Sequence, residues 1–238
     1  MPPLEVYMLG EVGFLEIQQL QRRIVYDLGE QAGAALILCE HPPTISVGRT
    51  GSRAHISHDD LTLKALGIKV HWVNRGGGCV LHTQGQLAAY LAIPLGSMGV
   101  TLFEYLNLLN QAVVGVLAEF DLAGQIRPDL PGVFSGPARI ASIGVAVSRD
   151  IAYHGLTLNV GPYLDFFKVI QEPGIDHAPL RQTSMESRRQ RPASMPRVRE
   201  AMIRRLEQAF GLEQHHIYTS HPMLSRGKAR SVHVPSLG

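Results

Sequence analysis

Residues 75–86 of the chain read Arg-Gly-Gly-Gly-Cys-Val-Leu-His-Thr-Gln-Gly-Gln, directly after an apolar run that has the pattern of a strand. Consecutive glycines let the backbone approach a ligand closely and turn its N–H groups inward. The arginine that opens the segment and the histidine within it suit an anionic or acyl ligand better than a hydrophobic core. The alternative is a glycine-rich surface turn, which any isolated glycine run also fits.

The composition is that of a globular protein with one large domain, or one domain with a small appendage. The chain has 238 residues, of which 45% are hydrophobic and 18% are charged, and its net charge of +2 gives no argument for nucleic acid. It lacks both the long apolar run of a membrane span and the layout of a signal peptide. The two cysteines, Cys39 and Cys79, have no metal-type spacing. We therefore expect a cytoplasmic protein without metal, cofactor, nucleic-acid partner or membrane partner.

The hydrophobic periodicity predicts an α+β fold, because the helices are not spaced regularly enough for a Rossmann fold or a TIM barrel. A first helix is predicted over residues 11–29, and Thr101 begins a capping box that predicts a long helix with a core-facing stripe. A last helix opens at Pro196 and ends at Gly211, and the tail from Gln214 has no regular pattern. The predicted strands lie at residues 35–39, 44–47, 69–74, 86–95, 139–148 and 151–160, the last two as a hairpin.

A second cluster of small and polar residues lies in the predicted hairpin. Gly144 and Gly155 fall inside its strands, where a glycine weakens a strand unless a ligand or another backbone comes close. The hairpin therefore predicts a ligand wall, and a pair of β-bulges is the alternative. His82 and His154 are the histidines that we expect to face the site, although each also fits a hydrogen-bonded structural role.

Residues 180–197 are rich in arginine, serine, glutamine and proline. Eight arginines lie between Arg181 and Arg205, against two acidic residues. Such a charge run is typical of a mobile segment or a solvated basic face.

Together these segments resemble the lipoyl(octanoyl) transferases, the octanoyltransferases of lipoate biosynthesis, which belong to the fold group of biotin and lipoate protein ligases. The resemblance implies one octanoyltransferase-like domain over residues 1–238, with a mixed sheet flanked by helices. The matching stretches are Glu40–Pro43, Arg75–Gln86, Pro131–Val133, Arg139–Gly144, Tyr153–Val160 and Thr183–Ser184.

The resemblance implies an acyltransferase that moves an octanoyl group from acyl carrier protein, the donor, to a lysine of a lipoyl-domain protein, the acceptor. The family does this through a cysteine acyl-enzyme, with a nearby lysine that activates the cysteine. The residues implied to bind the substrate are Arg75, Gly76, Gly77, Gly78, Cys79, Val80, Leu81, His82, Ser142, Ile143, Gly144, Gly155, Leu156 and Thr157.

The chain departs from the family pattern at both catalytic positions. The family's Lys-Ile-Ala-Ser stretch begins here with Arg139, and its Asn-Pro-Cys-Gly stretch is Gln171-Glu172-Pro173-Gly174, which puts Pro173 at the cysteine position. Proline offers no nucleophile. Arginine keeps its charge near neutral pH and therefore does not act as a base there.

Three interpretations remain open at these positions. Cys79 could be a relocated nucleophile, if backbone dipoles and Arg75 or Arg139 favour its thiolate. The site could hold donor and acceptor together for direct aminolysis, with His82 or His154 as the base. The chain could also be a catalytically inactive homologue that binds an octanoyl or lipoyl group or a lipoyl-domain protein.

Two further expectations follow from the resemblance. An adenylating ligase of the same fold group needs a lysine in the pocket, and Arg139 at the candidate position counts against that activity. The basic stretch from Arg181 to Arg205 could receive an acidic acyl carrier protein, because opposite charge speeds encounter.

Overall fold

The computed structural model describes residues 4–30, 33–172, 179–212 and 214–224. The strands are β1 (Leu4–Glu11), β2 (Ala34–Glu40), β3 (Thr44–Val47), β4 (Lys69–Trp72), β5 (Cys79–His82), β6 (Gln86–Pro94), β7 (Gln125–Arg127), β8 (Leu130–Ser135), β9 (Ala138–Ser148), β10 (Ile151–Asn159) and β11 (His215–Tyr218). The helices are α1 (Phe14–Glu30), α2 (Asp60–Ala65), α3 (Leu95–Met98), α4 (Leu102–Glu119), α5 (Met185–Arg189) and α6 (Met195–Phe210).

The strands form one large mixed sheet and one small sheet. The large sheet has the order β11-β1-β2-β6-β10-β9-β8-β7, and the small sheet has the order β4-β3-β5. In the large sheet, β1 runs parallel to both of its neighbours, β11 and β2. Every other pair of neighbouring strands in that sheet is antiparallel. The predicted α+β fold with a mixed sheet flanked by helices is confirmed.

Helices α4 and α6 cover one face of the large sheet. The predicted capping box is present, since Thr101 accepts from the backbone N–H of Glu104 while the Glu104 side chain accepts from the backbone N–H of Thr101. Behind it, Tyr105, Leu109 and Val113 are fully buried at helical spacing. The predicted stripe is therefore core, and its burial holds the sheet rigid behind the site.

Helix α1 and the small sheet cover the opposite face. Ile17, Leu20 and Ile24 of α1 pack in one cluster with residues of β1, β2, β6 and β10. The small sheet forms a separate apolar cluster with the segment around Val169. The space between the large sheet, the first turn of α1 and β5 of the small sheet is the place where the polar residues of the site meet. No helix in the described part of the chain is long and apolar enough to cross a membrane.

The β9–β10 connection confirms the predicted hairpin. Arg149 and Asp150 both have positive φ, 51° and 64°, as a two-residue turn that matches the strand twist requires. Glycine, asparagine and aspartate adopt this conformation readily, whereas an arginine such as Arg149 adopts it at a cost. The pairing of the two long strands therefore stabilises the turn, and the turn does not by itself specify the pairing.

The tail prediction was wrong. Residues 215–218 form β11, which pairs in parallel with β1 at the edge of the large sheet. All four residues of β11 are exposed, so they show no hydrophobic alternation that a sequence pattern would reveal. Only the neighbouring strand, which was not predicted either, gives this segment its conformation.

The glycines of the hairpin lie directly opposite each other. Gly155 pairs with Gly144, and no register shift interrupts the β9–β10 ladder, so the two-bulge alternative is wrong. A Cβ at Gly155 would lie 2.3 Å from the Ala89 carbonyl oxygen, and one at Gly144 would lie 2.6 Å from that of Gly76. Both glycines are thus required by backbone that approaches the strand closely.

Substituting Gly155 with alanine is expected to lower the free energy of unfolding by about 2–4 kcal/mol. The new Cβ would meet backbone of β6, which gives way less readily than a side chain. Urea unfolding measures the effect, with Gly10→Ala as the control, since a Cβ there meets nothing within 4 Å. Equal stabilities of the two variants would contradict the close approach.

Candidate active site

A narrow cleft lies between the two sheets. β9 and β10 form its floor, and the glycine segment and β5 form its opposite wall. The side chain of Phe14, at the start of α1, closes one end. The residues around the cleft are Phe14, Arg75, Val80, His82, Tyr90, Ser142, Ile143, Gly144, His154, Gly155, Leu156 and Thr157.

The glycine segment is packed into the protein and is not a surface turn. The Gly76 N–H donates to the Val145 carbonyl at 2.8 Å, and Gly77 has a φ of +81° that favours glycine. Arg75 and Gly78 are buried. The run of glycines therefore brings the loop against β9 and fixes the adjoining side chains beside the cleft.

Arg75 begins a chain of hydrogen bonds that ends on a cleft histidine. Its Nη2 donates to the Ser46 Oγ and to the Ser46 carbonyl, both at 2.8 Å. The Ser46 Oγ lies 2.8 Å from Nε2 of His82. Because arginine only donates, the Ser46 hydroxyl accepts from it, and the same hydroxyl shares a hydrogen bond with His82 Nε2.

Burial keeps three histidines of this region neutral. It lowers the pKa of His41 to about 4 and that of His154 to about 3. Burial also lowers the pKa of His82, with smaller contributions from His41 and Arg75. A base with so low a pKa holds few protons at neutral pH and accepts them poorly, which counts against His154 as the base of an aminolysis.

His41 and His154 are held in fixed orientations by the surrounding structure. The Nδ1–H of His41 donates to the Val12 carbonyl at 2.7 Å, and the Tyr90 hydroxyl donates to its Nε2 at 2.8 Å. His154 lies in β10 with a φ of +64°, and its Nε2–H donates to the Asn74 side-chain oxygen at 3.3 Å. A non-glycine residue with this φ is strained, and such residues are concentrated at functional sites.

A second narrow cleft adjoins the first and shares Val80 and Ser142 with it. It contains a buried ion pair. Nη2 of Arg139 donates to Oε2 of Glu172 at 2.8 Å, and the two side chains are 5% and 16% exposed. With its amide oxygen turned toward Arg139, Gln182 accepts from Nη2 at 3.1 Å.

The ion pair connects both sides of the segment 173–178. Glu172 precedes that segment, and its carbonyl accepts from the Leu180 N–H at 2.9 Å. The backbone of Arg139 exchanges hydrogen bonds with Arg181 and Thr183, which follow the segment. Arg139 is therefore an anchor for two stretches of chain as well as the partner of a carboxylate.

Cys79 lies in the second cleft, and the structure does not favour its thiolate. The side chain is fully buried, and its thiol donates to the Ser52 carbonyl at 3.5 Å. Burial raises the pKa of the Cys79 thiol, and the Glu172 carboxylate raises it further, while the positive charge of Arg75 lowers it. This net direction is opposite to the one that the loop sequence suggested.

Both thiols are expected to resist alkylation in the folded protein. Cys39 is also fully buried, and burial raises the pKa of its thiol. Because the thiolate is the reactive form, iodoacetamide should label the native chain at least about a hundredfold more slowly than the chain in urea. Intact-mass measurements of Cys39→Ser and Cys79→Ser follow each thiol separately. Rapid labelling of Cys79 in the native state would contradict the buried, protonated thiol.

The structure brings the sequence-predicted residues together in two groups. Arg75, His82 and His154 border the first cleft, and Cys79 and Arg139 border the second. Pro173 lies outside the described residues. No group of three or more metal-ligating side chains occurs in the part of the chain that the structure describes.

The sequence of this chain is similar to those of known proteins. The sequence profile described as "Lipoyl protein ligase A/B catalytic domain" matches residues 15–207. The octanoyltransferase of Chloroflexus aurantiacus is 34% identical over 217 residues, which cover 90% of this chain and 96% of the relative. That of Chloroflexus aggregans is 37% identical over 74% of this chain and 81% of its own length. The chain belongs to the octanoyltransferase family.

Solved structures agree on the fold of this octanoyltransferase family member. A lipoate-protein ligase A bound with ATP superposes with a TM-score of 0.76 at 16% identity, covering 95% of this chain and 92% of its own. A putative lipoate protein ligase from T. acidophilum with bound lipoic acid gives 0.71 at 17% identity, with the same coverage of each chain. At this level of identity the likeness concerns the fold alone.

Sequence reasoning missed several residues in and around the first cleft. Ser46 lies in a predicted strand, and nothing in its neighbourhood marks it as a hydrogen-bond relay. Phe14 and Tyr90 lie in a predicted helix and a predicted strand and appear there as ordinary apolar residues. Glu172 stood inside the family stretch around Pro173, so the carboxylate that pairs with Arg139 was the one residue whose position gave a usable signal.

Proposed function

We propose that this protein acts in lipoate biosynthesis by transferring an octanoyl group from acyl carrier protein to a lysine of a lipoyl domain. Membership of the octanoyltransferase family over nearly the whole chain supports the reaction class. The observation that carries the proposal is the first cleft, which has apolar side chains such as Phe14 and Val80 beside the buried polar groups of Arg75 and His82. Such a site suits an apolar chain that ends in a polar carbonyl group.

The proposed route is direct attack of the lysine amine on the octanoyl thioester. The amine nitrogen forms the new bond to the carbonyl carbon, the carbon–sulfur bond breaks, and the carrier thiol leaves with the proton that the amine gives up. Holding both reactants in one site supplies the rate enhancement that orientation gives. The raised pKa of the Cys79 thiol supports a route without an acyl-cysteine.

A second candidate function is binding without turnover. The specific observation that favours it is the Arg139–Glu172 ion pair, because it occupies the family's lysine position with a cation that is already neutralised by a carboxylate. In this case the protein binds the octanoyl group or a lipoyl-domain protein and transfers nothing.

One experiment tests both candidates. The full chain is incubated with octanoyl acyl carrier protein and a lipoyl domain, and the intact masses of all proteins are measured before and after hydroxylamine. We expect the lipoyl domain to gain one octanoyl group that hydroxylamine does not remove, since an amide resists it. A lipoyl domain whose acceptor lysine is replaced by alanine is the control and should remain unmodified.

The other outcomes each overturn part of the proposal. A hydroxylamine-labile adduct on this chain that Cys79→Ser abolishes and Cys39→Ser spares would assign an acyl relay to Cys79. An unmodified lipoyl domain, combined with a rise in melting temperature on addition of octanoyl acyl carrier protein, would establish binding without transfer. Neither modification nor a melting shift would overturn both candidates.

A further inference from the structure

Glu172 is the one carboxylate residue that borders either cleft in the part of the chain that the structure describes. It lies in the second cleft with the polar side chains of Arg139, Ser142 and Gln182. Its side chain is only 16% exposed. Because a charged side chain is rarely this buried without a partner, the ion pair with Arg139 explains why the carboxylate is tolerated there. The ion pair uses only one of the two carboxylate oxygens.

The other oxygen of this carboxylate, Oε1, is available to a substrate. Oε2 accepts from Nη2 of Arg139 at 2.8 Å, whereas Oε1 has no hydrogen bond to any described residue. Oε1 lies beside Gly78, in the space that a Cβ at that position would occupy. Each carboxylate oxygen accepts about two hydrogen bonds, so Oε1 can bind a donor that enters the second cleft. Arg139 meanwhile holds the carboxylate in one orientation.

The negative charge of Glu172 acts on groups in both clefts. It raises the pKa of the Cys79 thiol, adding to the effect of burial. Burial lowers the pKa of Arg75 to about 10, and Tyr90 and Glu172 each oppose that lowering. Both effects have the sign expected of a carboxylate that favours positive charge nearby. The charge of Glu172 therefore remains effective although Arg139 is its ion-pair partner.

The two clefts meet at residues that lie away from the closed end of the first cleft. Val80 and Ser142 border both clefts, so they mark the junction. Phe14 closes the first cleft beside His82, the last residue of β5, with 4.8 Å between the ring centroids. Val80 lies two residues earlier on the same strand, toward the second cleft. An octanoyl chain with its tail at Phe14 therefore directs its thioester end to the junction.

We propose that Glu172 binds the ammonium group of the acceptor lysine through Oε1 and takes its proton during octanoyl transfer. This inference rests on the proposed function, in which a lysine attacks an octanoyl thioester directly. The pKa of a lysine side chain is about 10.4, so at neutral pH almost all of it is an ammonium without a lone pair for attack. A base beside the site is therefore needed, and the low pKa of the buried His154 makes that residue a poor one.

The protons and the leaving group have defined destinations. The lysine ammonium gives one proton to Oε1 as its nitrogen approaches the carbonyl carbon, and the carboxyl group later releases that proton to solvent. The nitrogen–carbon bond then forms, the carbon–sulfur bond breaks, and the sulfur takes the second proton from the nitrogen. The products are an amide, the carrier thiol and one proton. Removal of the pair from water favours the first transfer, because burial disfavours the charged ammonium and carboxylate relative to the neutral amine and acid.

Glu172→Gln tests this role, since it removes the negative charge and keeps an oxygen that can accept from Arg139. With octanoyl acyl carrier protein and a lipoyl domain, its kcat at pH 7 should be about a hundredfold below that of the wild type, as the loss of a general base implies. Between pH 7 and 9 the rate of the variant should rise about tenfold per pH unit, because the neutral fraction of lysine rises in that proportion. The wild-type rate should rise less steeply. A merely structural role would lower the rate by the same factor at every pH.

Glu119→Gln is the matched control. Glu119 is paired with Arg204 and Arg205, each at 2.7 Å, and borders neither cleft, so this variant should keep the wild-type rate and pH dependence. Melting temperatures establish that folded proteins are compared. If Glu172→Gln does not fold, the double variant Arg139→Leu with Glu172→Leu replaces it, since it removes the carboxylate without leaving an unpaired charge. Its transfer rate should show the same steep rise with pH.

Each remaining outcome overturns the inference in a different way. A Glu172→Gln variant with wild-type kcat would remove Glu172 from the reaction and leave the proposed function standing. A loss of constant size from pH 7 to 9 would also leave that function standing and would assign Glu172 to the folded structure alone. If the wild-type chain left the lipoyl domain unmodified, the proposed function itself would fail, and the role of Glu172 with it.

Discussion

Lowering the pH from 7 to 4 is expected to remove on the order of 5 kcal/mol from the free energy of unfolding. In the folded protein the pKa of His41 is about 4 and that of His154 about 3, whereas both are near 6.5 in an unfolded chain. Below pH 6.5 these two histidines become protonated in the unfolded state but stay neutral in the folded state. Stability is therefore fully present above pH 6.5 and is lost as the pH falls toward 3.

Urea unfolding at a series of pH values measures this loss. The histidine contribution falls between pH 6.5 and 4.5, above most of the range in which exposed carboxylates titrate. His154→Gln should flatten the dependence in that interval, and His216→Gln, at an exposed position, is the matched control for the substitution. A stability that stays constant down to pH 4.5 would contradict the neutral, buried histidines.

Removing Arg139 is expected to produce the largest loss of stability of any single charged residue described here. Arg139→Leu leaves the Glu172 carboxylate without its cation in a largely buried site, which costs about 3–5 kcal/mol. It also removes the side chain between the two ends of the segment 173–178. The free energy of unfolding in urea and the melting temperature both measure the effect.

Two control variants test whether the loss of stability comes from the unpaired Glu172 carboxylate. Arg204→Leu breaks the ion pair with Glu119 at the surface and should cost no more than about 1 kcal/mol. The double variant Arg139→Leu with Glu172→Leu removes both charges and should recover most of the loss, because no unpaired carboxylate remains. A single variant as stable as the wild type would show that the ion pair is not the anchor inferred here.

Local patterns predicted most of the elements. The capping box at Thr101 and the glycine at 211 define helix ends through contacts between residues a few positions apart. The hairpin of β9 and β10 followed from two apolar runs with only two residues between them. Strands β1, β5, β7, β8 and β11 were missed. β7 and β11 are short and largely exposed, so no alternation distinguishes them from loops, and β5 lies inside the glycine-rich segment that was treated as a loop.

The candidate site was predicted as a set of residues and not as an arrangement. The sequence marked Arg75, His82 and Thr157, and the structure places all three around one cleft. The sequence did not reveal that Ser46 hydrogen-bonds with both Arg75 and His82, because β3 and the glycine segment meet only in the folded structure. Burial and the carboxylate of Glu172 raise the pKa of the Cys79 thiol, and both are properties of the packed structure that the loop sequence does not contain.

The sequence by itself determined the family and the mixed α+β fold. Those conclusions depend on residue identity and on order along the chain. Only the tertiary structure decided that Arg139 pairs with Glu172 and that Ser46 hydrogen-bonds with both Arg75 and His82. Each of these contacts joins atoms that are about 3 Å apart in space and far apart in sequence. The burial of the site then determines how much each contact contributes to the free energy of folding.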